Sequence, residues 1–378
     1  YIDLSYGAGT LILGNRSKIF VKSIKQILRK KTSLIGTPNQ EALKYSKLLK
    51  KLFPNYSKFI FCNTGSEAIT KSLRIANAIS KKNLIISVTG SWHGSVDKTL
   101  FTSDKSLKSL PISNGLGEFN KKNIRFIPYN NIKKSKKILD RNKKKISCVI
   151  IEPIQASLPQ LHVKEYLSFL IKYCKKNNII ILFDEMITGI RYKGSSAQQS
   201  LNLRPDVSTF GKCFGGGFPI GIIAITDKIH KKISRLKRKV FFGGTFSGNQ
   251  ISTFVGRKTV EFIHKNKKKI FYNLEKKGSY IEREIKSFIM KNNLNANILR
   301  CESIIRIIFS KKLPKDRVER DFLEKDKKKT IDNFRNFLLS KGIYYPSNGI
   351  LFISDQNSNN DIKKIVKSIN MALIKFLK

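Results

Sequence analysis

The stretch SCVIIEPIQASLPQLHVKEYLSFLIKYCKKNNIIILFDEM, residues 147–186, has the pattern of a strand, a helix and a second strand. Its outer segments, SCVIIEPI and IIILFDEM, are apolar on both faces of a strand, whereas KEYLSFLIKYCKKNN between them has helical periodicity. Strands of that kind are typical of a parallel sheet that helices cover on both sides. The stretch therefore predicts an α/β fold.

The same alternation extends outward along the chain. Apolar runs that predict strands lie at 59–63, 83–88 and 124–129, and helical or loop segments separate them. After about residue 255 long helical stretches come first. A strand pair or long strand (298–310), another helix, a strand–turn–strand segment (342–354) and a closing helix then follow. We expect a large domain over residues 31–260 and a smaller α+β domain formed by residues 1–30 with 261–378.

Length, cysteine content and apolar runs exclude several classes of protein. The 378-residue chain has five cysteines and no CxxC pair, which argues against a disulfide framework or a zinc site and favours a reducing cytoplasm. No segment resembles a signal peptide, and no apolar run approaches the roughly 18 residues of a spanning helix. The chain begins at Tyr1 in the middle of a pattern, so further residues are expected upstream.

The net charge of +48 leaves two interpretations open. With 74 basic and 26 acidic side chains, the protein could bind nucleic acid or another anionic surface. Alternatively, lysine is enriched along the whole chain. The lysine runs, such as those at 133–137, 142–145, 266–269 and 325–329, are not interleaved with the aromatic residues of a stacking surface. We therefore favour a compositional bias and keep nucleic-acid binding as a minor hypothesis.

Lys212 stands among small and apolar residues in STFGKCFGGGFPIG (208–221). The segment fails the Walker pattern, because Asp206 replaces the first glycine and Cys213 follows the lysine. In a dry site a lysine loses part of its charge, and its neutral amine can attack a carbonyl carbon to form a Schiff base. A surface lysine on a glycine-rich loop is the alternative.

Three further segments place polar groups at the ends of predicted strands. Asp184 ends IIILFDEM, at a carboxyl edge where open α/β sheets bind ligands, and could pair with a protonated pyridine nitrogen. Gly65 and Ser66 open a helix whose free N–H groups form a phosphate site. Trp92, in SWHG, could stack on a flat ring. The alternatives are a helix-capping carboxylate, an ordinary N-cap and a plain loop whose His93 is hydrogen-bonded.

Taken in order, these motifs resemble the class III aminotransferases, pyridoxal-phosphate enzymes of fold type I. The motifs are CNTGSEA, GSWHG, IIEPIQ, LFDEMITGIR, RPDVSTFGKCFGGGFPIG and GGTFSGN. Among the family's members, the likeness is greatest to glutamate-1-semialdehyde 2,1-aminomutase-like proteins, and it covers nearly the whole chain. It implies a large domain with a mostly parallel seven-stranded sheet, a smaller α+β domain, pyridoxal 5'-phosphate as cofactor and a homodimer with shared active sites.

The resemblance also implies roles for individual residues. Lys212 would hold the cofactor as a Schiff base and then move protons, and Asp184 would keep the pyridine nitrogen protonated. Thr245 would reach the phosphate of the neighbouring subunit's cofactor. The cofactor contacts implied in this way involve Gly65, Ser66, Trp92, Asp184, Met186, Lys212 and Thr245. No metal is implied.

Departures from the aminomutase pattern leave the substrate open. Ser157 replaces an asparagine after the EP motif, VDKTLFTSDKSLKSL lacks the glycines of a mobile segment, and YYPSNGILFIS lacks a glutamate. Our main hypothesis is an aminotransferase acting on an amino donor and an aldehyde or ketone acceptor. The alternatives are the aminomutase, which exchanges amino groups within one substrate, and a non-catalytic or nucleic-acid-binding protein on this scaffold.

Overall fold

The fold was analysed in a computed structural model that describes residues 1–30, 38–160 and 162–377. The strands of these residues are β1 (Ile2–Asp3), β2 (Lys58–Cys62), β3 (Leu84–Val88), β4 (Phe101–Ser103), β5 (Ser109–Pro111), β6 (Ile124–Ile127), β7 (Ile146–Ile151), β8 (Ile180–Asp184), β9 (Val207–Gly211), β10 (Gly221–Ile225), β11 (Asn297–Cys301), β12 (Ile304–Ile308), β13 (Ile343–Tyr344) and β14 (Ile350–Phe352). The helices are α1 (Tyr6–Gly9), α2 (Lys18–Leu28), α3 (Gln40–Leu52), α4 (Gly65–Ser80), α5 (Glu118–Lys122), α6 (Ile132–Asn142), α7 (Lys164–Lys176), α8 (Thr188–Arg191), α9 (Ala197–Ser200), α10 (Asp227–Ser234), α11 (Gln250–Lys265), α12 (Lys267–Lys291), α13 (Arg317–Glu324), α14 (Lys328–Ser340) and α15 (Asn359–Leu377).

A seven-stranded sheet in the order β2-β10-β9-β8-β7-β3-β6 forms the centre of the molecule. Only β10 runs antiparallel to its neighbours, β2 and β9, so the other six strands point the same way. All residues of β3, β7, β8, β9 and β10 are buried, as expected for strands that are covered on both faces. The α/β prediction and its seven strands are confirmed.

The helices around this sheet start where the sequence places capping residues. Thr64 caps α4 by accepting a hydrogen bond from Glu67 N at 3.1 Å, and Asn131 caps α6 in the same way through Lys134 N. Helix α4 turns its apolar side chains toward the sheet, where Ile69 and Leu73 pack in the core. These caps fix the orientation of each helix start relative to the strand that precedes it.

Residues near both ends of the chain form two small sheets. Strand β1 pairs in parallel with β13, and β11, β12 and β14 form an antiparallel sheet. The strand–turn–strand segment predicted at 342–354 is present as β13 and β14, and these two strands belong to different sheets. The predicted division into a large and a small domain stays a prediction, although the central sheet uses only strands between residues 58 and 225.

The segment VDKTLFTSDKSLKSL, which lacks glycine, contains β4 and the start of β5, and these two strands pair antiparallel. Asp104 organises the turn between them, since its Oδ1 accepts hydrogen bonds from the backbone N–H groups of Ser106 and Lys108. Such a turn is a local feature that the apolar pattern does not reveal. The turn at Asp104 and the burial of Phe101 against Ile124 and Phe126 thus both contribute to the order of this segment.

Buried Arg191 connects distant parts of the chain. Its Nη2 donates to Gly9 O (2.8 Å), and its Nη1 donates to Ser303 Oγ (2.8 Å) and to Ile353 O (3.2 Å).

The five cysteines are all buried with free thiols. Among the described helices, none is long and apolar enough to cross a membrane.

Candidate active site

A cavity of about 960 Å³ opens where the parallel strands of the central sheet end. The loops after β3, β7, β8 and β9 all reach it, because parallel strands bring their carboxyl ends to one edge of a sheet. The predicted site residues that line the cavity are Gly65, Ser66, Trp92, Asp184, Met186 and Lys212. A second wall comes from β12, α13 and the turn before β14.

Lys212 follows β9 directly and begins a short 3₁₀ turn, Lys212–Gly215. Its backbone has φ +51°, in the left-handed region that residues with a side chain rarely adopt, so the surrounding packing must hold it there. Desolvation is the main influence on the amine and lowers its pKa, while Glu152 and Asp184 partly oppose that shift. The environment therefore increases the share of the neutral, nucleophilic amine relative to a lysine in water.

Asp184 is the last residue of β8 and is held by three donors. Its Oδ2 lies 2.8 Å from Nδ1 of His93, and its Oδ1 accepts hydrogen bonds from Met186 N (3.2 Å) and Thr209 Oγ1 (3.4 Å). His93 is buried, and its Nε2 has no hydrogen-bond partner among the described residues. His93, interpreted from the sequence as a hydrogen-bonded loop residue, has Asp184 as its partner in the structure.

Two buried glutamates near Asp184 serve different purposes. Glu152 accepts a hydrogen bond from Trp92 N (2.7 Å), and burial, with Asp184 second, raises its pKa to about 7. Glu185 accepts from Ala197 N and Gln198 N at the start of α9, and burial raises its pKa to about 7 as well. Only Glu152 lines the cavity, so Glu185 is a helix-capping group and Glu152 a candidate site residue that the sequence argument missed.

Glycines at the start of α4 and the end of β9 make room for Met186. A Cβ on Gly65 would lie 2.9 Å from Met186 Sδ, and one on Gly211 would lie 2.7 Å from the same sulfur. Ser66 meets the loop after β3 on the other side, where its Oγ accepts a hydrogen bond from Ser95 N (3.1 Å). Met186 therefore packs between the start of α4 and the end of β9.

Two predicted residues lie toward solvent. Trp92 lines the cavity but keeps 49% of its surface exposed. Thr245 is exposed and does not line the cavity of its own chain, so its role at a neighbouring subunit's site stays a prediction. Among the described residues, no group of three or more metal-ligating side chains occurs.

Known proteins of one enzyme family are similar to this chain over almost its whole length. The family model for aminotransferase class-III matches residues 1–335. A glutamate-1-semialdehyde 2,1-aminomutase from Methanosphaera stadtmanae is 33% identical over all of this chain and 88% of its own length, and one from Archaeoglobus fulgidus is 30% identical over 99% and 88%.

Solved structures show the same fold at lower sequence identity. An omega-transaminase from Sphaerobacter thermophilus matches with a TM-score of 0.89 at 18% identity, covering 98% of this chain and 86% of that one. A glutamate-1-semialdehyde-aminomutase from Pseudomonas aeruginosa PAO1, solved as a K286A variant in complex with PMP, matches with a TM-score of 0.86 at 16% identity, covering 100% and 84%. The fold around the cavity is therefore shared with these enzymes.

Proposed function

This chain belongs to the class-III aminotransferase family, and we propose that it moves an amino group between an amino donor and an aldehyde or ketone acceptor with Lys212 as the reactive lysine. The family match confirms the enzyme class and pyridoxal phosphate as the cofactor that the sequence predicted. It also favours an enzyme over a non-catalytic binding protein. The observation that supports the role of Lys212 is its place in one cavity with a firmly held Asp184.

The residues of the cavity fit this cofactor. The start of α4 offers the N–H groups of Gly65 and Ser66, which have no partner among the described residues, and the positive end of the helix dipole favours a phosphate there. Met186 and Trp92 flank the cavity with apolar surface for a flat ring. Asp184 offers a carboxylate to a protonated ring nitrogen.

Pyridoxal phosphate, when bound, supplies an aldehyde that exchanges between amines and a ring that withdraws electrons from the substrate carbon. The chain's own contribution begins with the Lys212 amine, whose lowered pKa increases its neutral fraction at neutral pH. Neutral Nζ can take a proton from the carbon that bears the substrate's amino group and can later return one.

His93 fixes the position of the Asp184 carboxylate in the cavity. The hydrogen bond of 2.8 Å from His93 and the donors on Oδ1 fix the carboxylate, so it needs no reorientation when a cation approaches. Burial of both side chains excludes water and strengthens that attraction. We assign Asp184 as the cofactor's counter-ion and His93 as the residue that positions it.

One observation favours a second function, the aminomutase. Relatives at 33%, 31% and 30% identity that align with 97% or more of this chain carry the name glutamate-1-semialdehyde 2,1-aminomutase. A mutase converts glutamate 1-semialdehyde without an external amino donor, whereas an intermolecular aminotransferase consumes one. The cavity wall at Ser347 and Asn348, where the sequence departs from the aminomutase pattern, supports the intermolecular reaction as our first proposal.

We also propose a cytoplasmic homodimer in which Thr245 of each subunit completes the other subunit's site. The support for the dimer is the exposure of two large apolar side chains beside Thr245, Phe241 at 72% and Phe246 at 54%. Five buried free thiols are consistent with a reducing compartment.

The first test is the absorbance spectrum of the purified protein beside Lys212→Ala. We expect a band near ~410–430 nm that borohydride bleaches in the native protein and that is absent from the variant. L-glutamate, added without an acceptor, is expected to convert the native cofactor to its amine form, as judged by chromatography of the released cofactor. A native protein that stays colourless after cofactor addition would contradict the proposed function.

A further inference from the structure

The wall of the cavity that faces away from the central sheet is lined with charge. Arg306 comes from β12, and Arg317, Arg320, Asp321 and Glu324 come from α13. Three cations thus stand against two carboxylates on this wall. The mechanism proposed above uses none of these residues.

Arg320 accounts for most of the pairing with the two carboxylates. Its guanidinium donates to both Ser157 O (2.6 Å) and Asp321 Oδ1, and its Nε lies 3.5 Å from Glu324 Oε2. It is almost completely buried, with 5% of its surface exposed. Each of the three side-chain nitrogens of Arg320 thus donates a hydrogen bond, and together these bonds hold α13 against the loop that contains Ser157.

Arg306 and Arg317 keep unused hydrogen-bond donors. A guanidinium has five N–H donors, and Arg306 uses Nη1 on Asn348 O (2.5 Å), while Nη2 lies 3.6 Å from Glu324 Oε2. Arg317 donates from Nη1 to Gly90 O at 3.4 Å, with Nε 3.4 Å from Asp321 Oδ2. Nε of both residues makes no hydrogen bond to the described residues.

The fold keeps the charged side chain of Arg306 buried, which costs desolvation free energy. It is 7% exposed, and burial, with Arg320 second, lowers its pKa to about 10. Gly349, with φ +70°, lies against the guanidinium, since a Cβ there would be 3.1 Å from Nη1. A buried cation with another cation nearby, whose nearest carboxylate lies 3.6 Å away, is destabilising unless an anion approaches.

We propose that Arg306 and Arg317 form an anion subsite that binds a carboxylate or phosphate group of the substrate and points its reacting end toward Lys212. This inference rests on the proposed function, and it specifies the class of substrate: an amine or carbonyl compound that carries an anionic group. Guanidinium forks suit the paired oxygens of both anions. Arg320 positions the subsite and does not contact the substrate.

The test compares three amines that differ at one end: 4-aminobutanoate, 3-aminopropyl phosphate and butylamine. Loss of the cofactor aldehyde absorbance of the loaded enzyme gives a second-order rate constant for each amine. We expect at least one anionic amine to react about tenfold or more faster than butylamine, as charged hydrogen bonds of this kind imply. The faster of the two anionic amines identifies the anion as carboxylate or phosphate.

Arg306→Gln and Arg317→Gln are expected to slow the anionic amine about ten- to hundredfold and to leave butylamine within about threefold. Arg283→Gln is the matched control, because Arg283 is a solvent-exposed arginine of α12 that does not line the cavity. Calorimetric binding of glutarate, which has carboxylates and no amine, gives a readout independent of turnover. Its Kd is expected to rise about tenfold or more in both cavity variants.

The outcomes separate the two proposals. A native protein that holds no cofactor contradicts the proposed function. A loaded enzyme overturns the anion subsite if butylamine reacts as fast as the anionic amines, if none of the three reacts, or if the arginine variants slow all three alike. Variants that keep the native cofactor band and melting temperature exclude misfolding as the cause of a slower rate.

Discussion

Glu152 is a buried carboxyl whose protonation should couple the stability of the protein to pH. Burial and Asp184 raise its pKa from 4.5 to about 7 in the folded chain. Between these two values the folded state binds a proton that the unfolded chain has lost, so this group's stabilising contribution is complete below pH 4.5 and is lost as the pH rises to about 7. Glu152→Gln, which stays neutral, should gain stability relative to the native protein between pH 4.5 and 8, by up to about 3 kcal/mol.

Urea unfolding of cofactor-free protein at pH 4.5, 6 and 8 measures this difference. Glutamine keeps an oxygen that can accept the hydrogen bond from Trp92 N, so the substitution removes the charge with little change in packing. Glu118→Gln on α5 is the control, because the Glu118 side chain is largely exposed. Curves of Glu152→Gln and the native protein that run parallel with pH would show that Glu152 ionises in the folded state as it does in water.

For single residues, chain order alone indicates which groups lie at strand ends, while their roles stay predictions. Lys212, Asp184 and Gly65 each follow or end a strand, and the structure brings all three to one cavity. Glu152 also follows a strand, but its importance depends on burial next to Asp184, which no local pattern reports. His93 was visible as a loop histidine, and only the folded chain pairs it with Asp184.

Helix α11 illustrates how packing between elements overrides local preference. A Cβ on Gly256, in the middle of this helix, would lie 2.1 Å from Phe214 O, in the turn that begins at Lys212. Helix propensity alone predicts that alanine gains about 1 kcal/mol there. We expect Gly256→Ala instead to destabilise the protein by about 1–3 kcal/mol, because backbone atoms on both sides must separate.

Thermal or urea unfolding with and without cofactor measures the effect of Gly256→Ala. Displacement of the turn should also weaken retention of pyridoxal phosphate, since Lys212 is the first residue of that turn. Lys265→Ala, at the exposed last residue of the same helix, is the control and should change stability by no more than about 1 kcal/mol, through the loss of a cation from the last turn. A stabilised Gly256→Ala protein would mean that α11 does not pack this closely on the turn.

At the level of helices and strands, the sequence predicts those strands that are buried along their whole length. The apolar runs of β3, β7 and β8 are recognisable because both faces of each strand are covered. Strands β4 and β5 have no such run, and strands β13 and β14 are separated by a turn yet pair with different partners. Partner choice depends on the position of β1 and β12 in the folded chain, which lies beyond any local pattern.

For the molecule as a whole, the two walls of the cavity come from distant parts of the sequence. The wall that contains Lys212 and Asp184 comes from residues between 63 and 220, and the arginine wall from residues 306–324 together with the turn before β14. Chain order and apolar pattern predict the first wall, since each of its groups lies at a strand end. The arginines give no comparable signal, because 74 basic residues make any three of them inconspicuous until the fold brings them together.

The shared active site proposed for the dimer predicts that two inactive variants complement each other. Lys212→Ala removes the reactive amine, and Thr245→Asp places a carboxylate where a phosphate from the neighbouring subunit is expected, so each homodimer should lose most activity. In a mixed dimer one site combines native Lys212 with native Thr245. After unfolding and refolding of an equal mixture, activity should recover to about a quarter of the native value, because about half of the dimers are mixed and each has one intact site. Gel filtration checks the dimer independently. A monomer, or a mixture that stays inactive while each variant still dimerises, would show that Thr245 does not serve the neighbouring site.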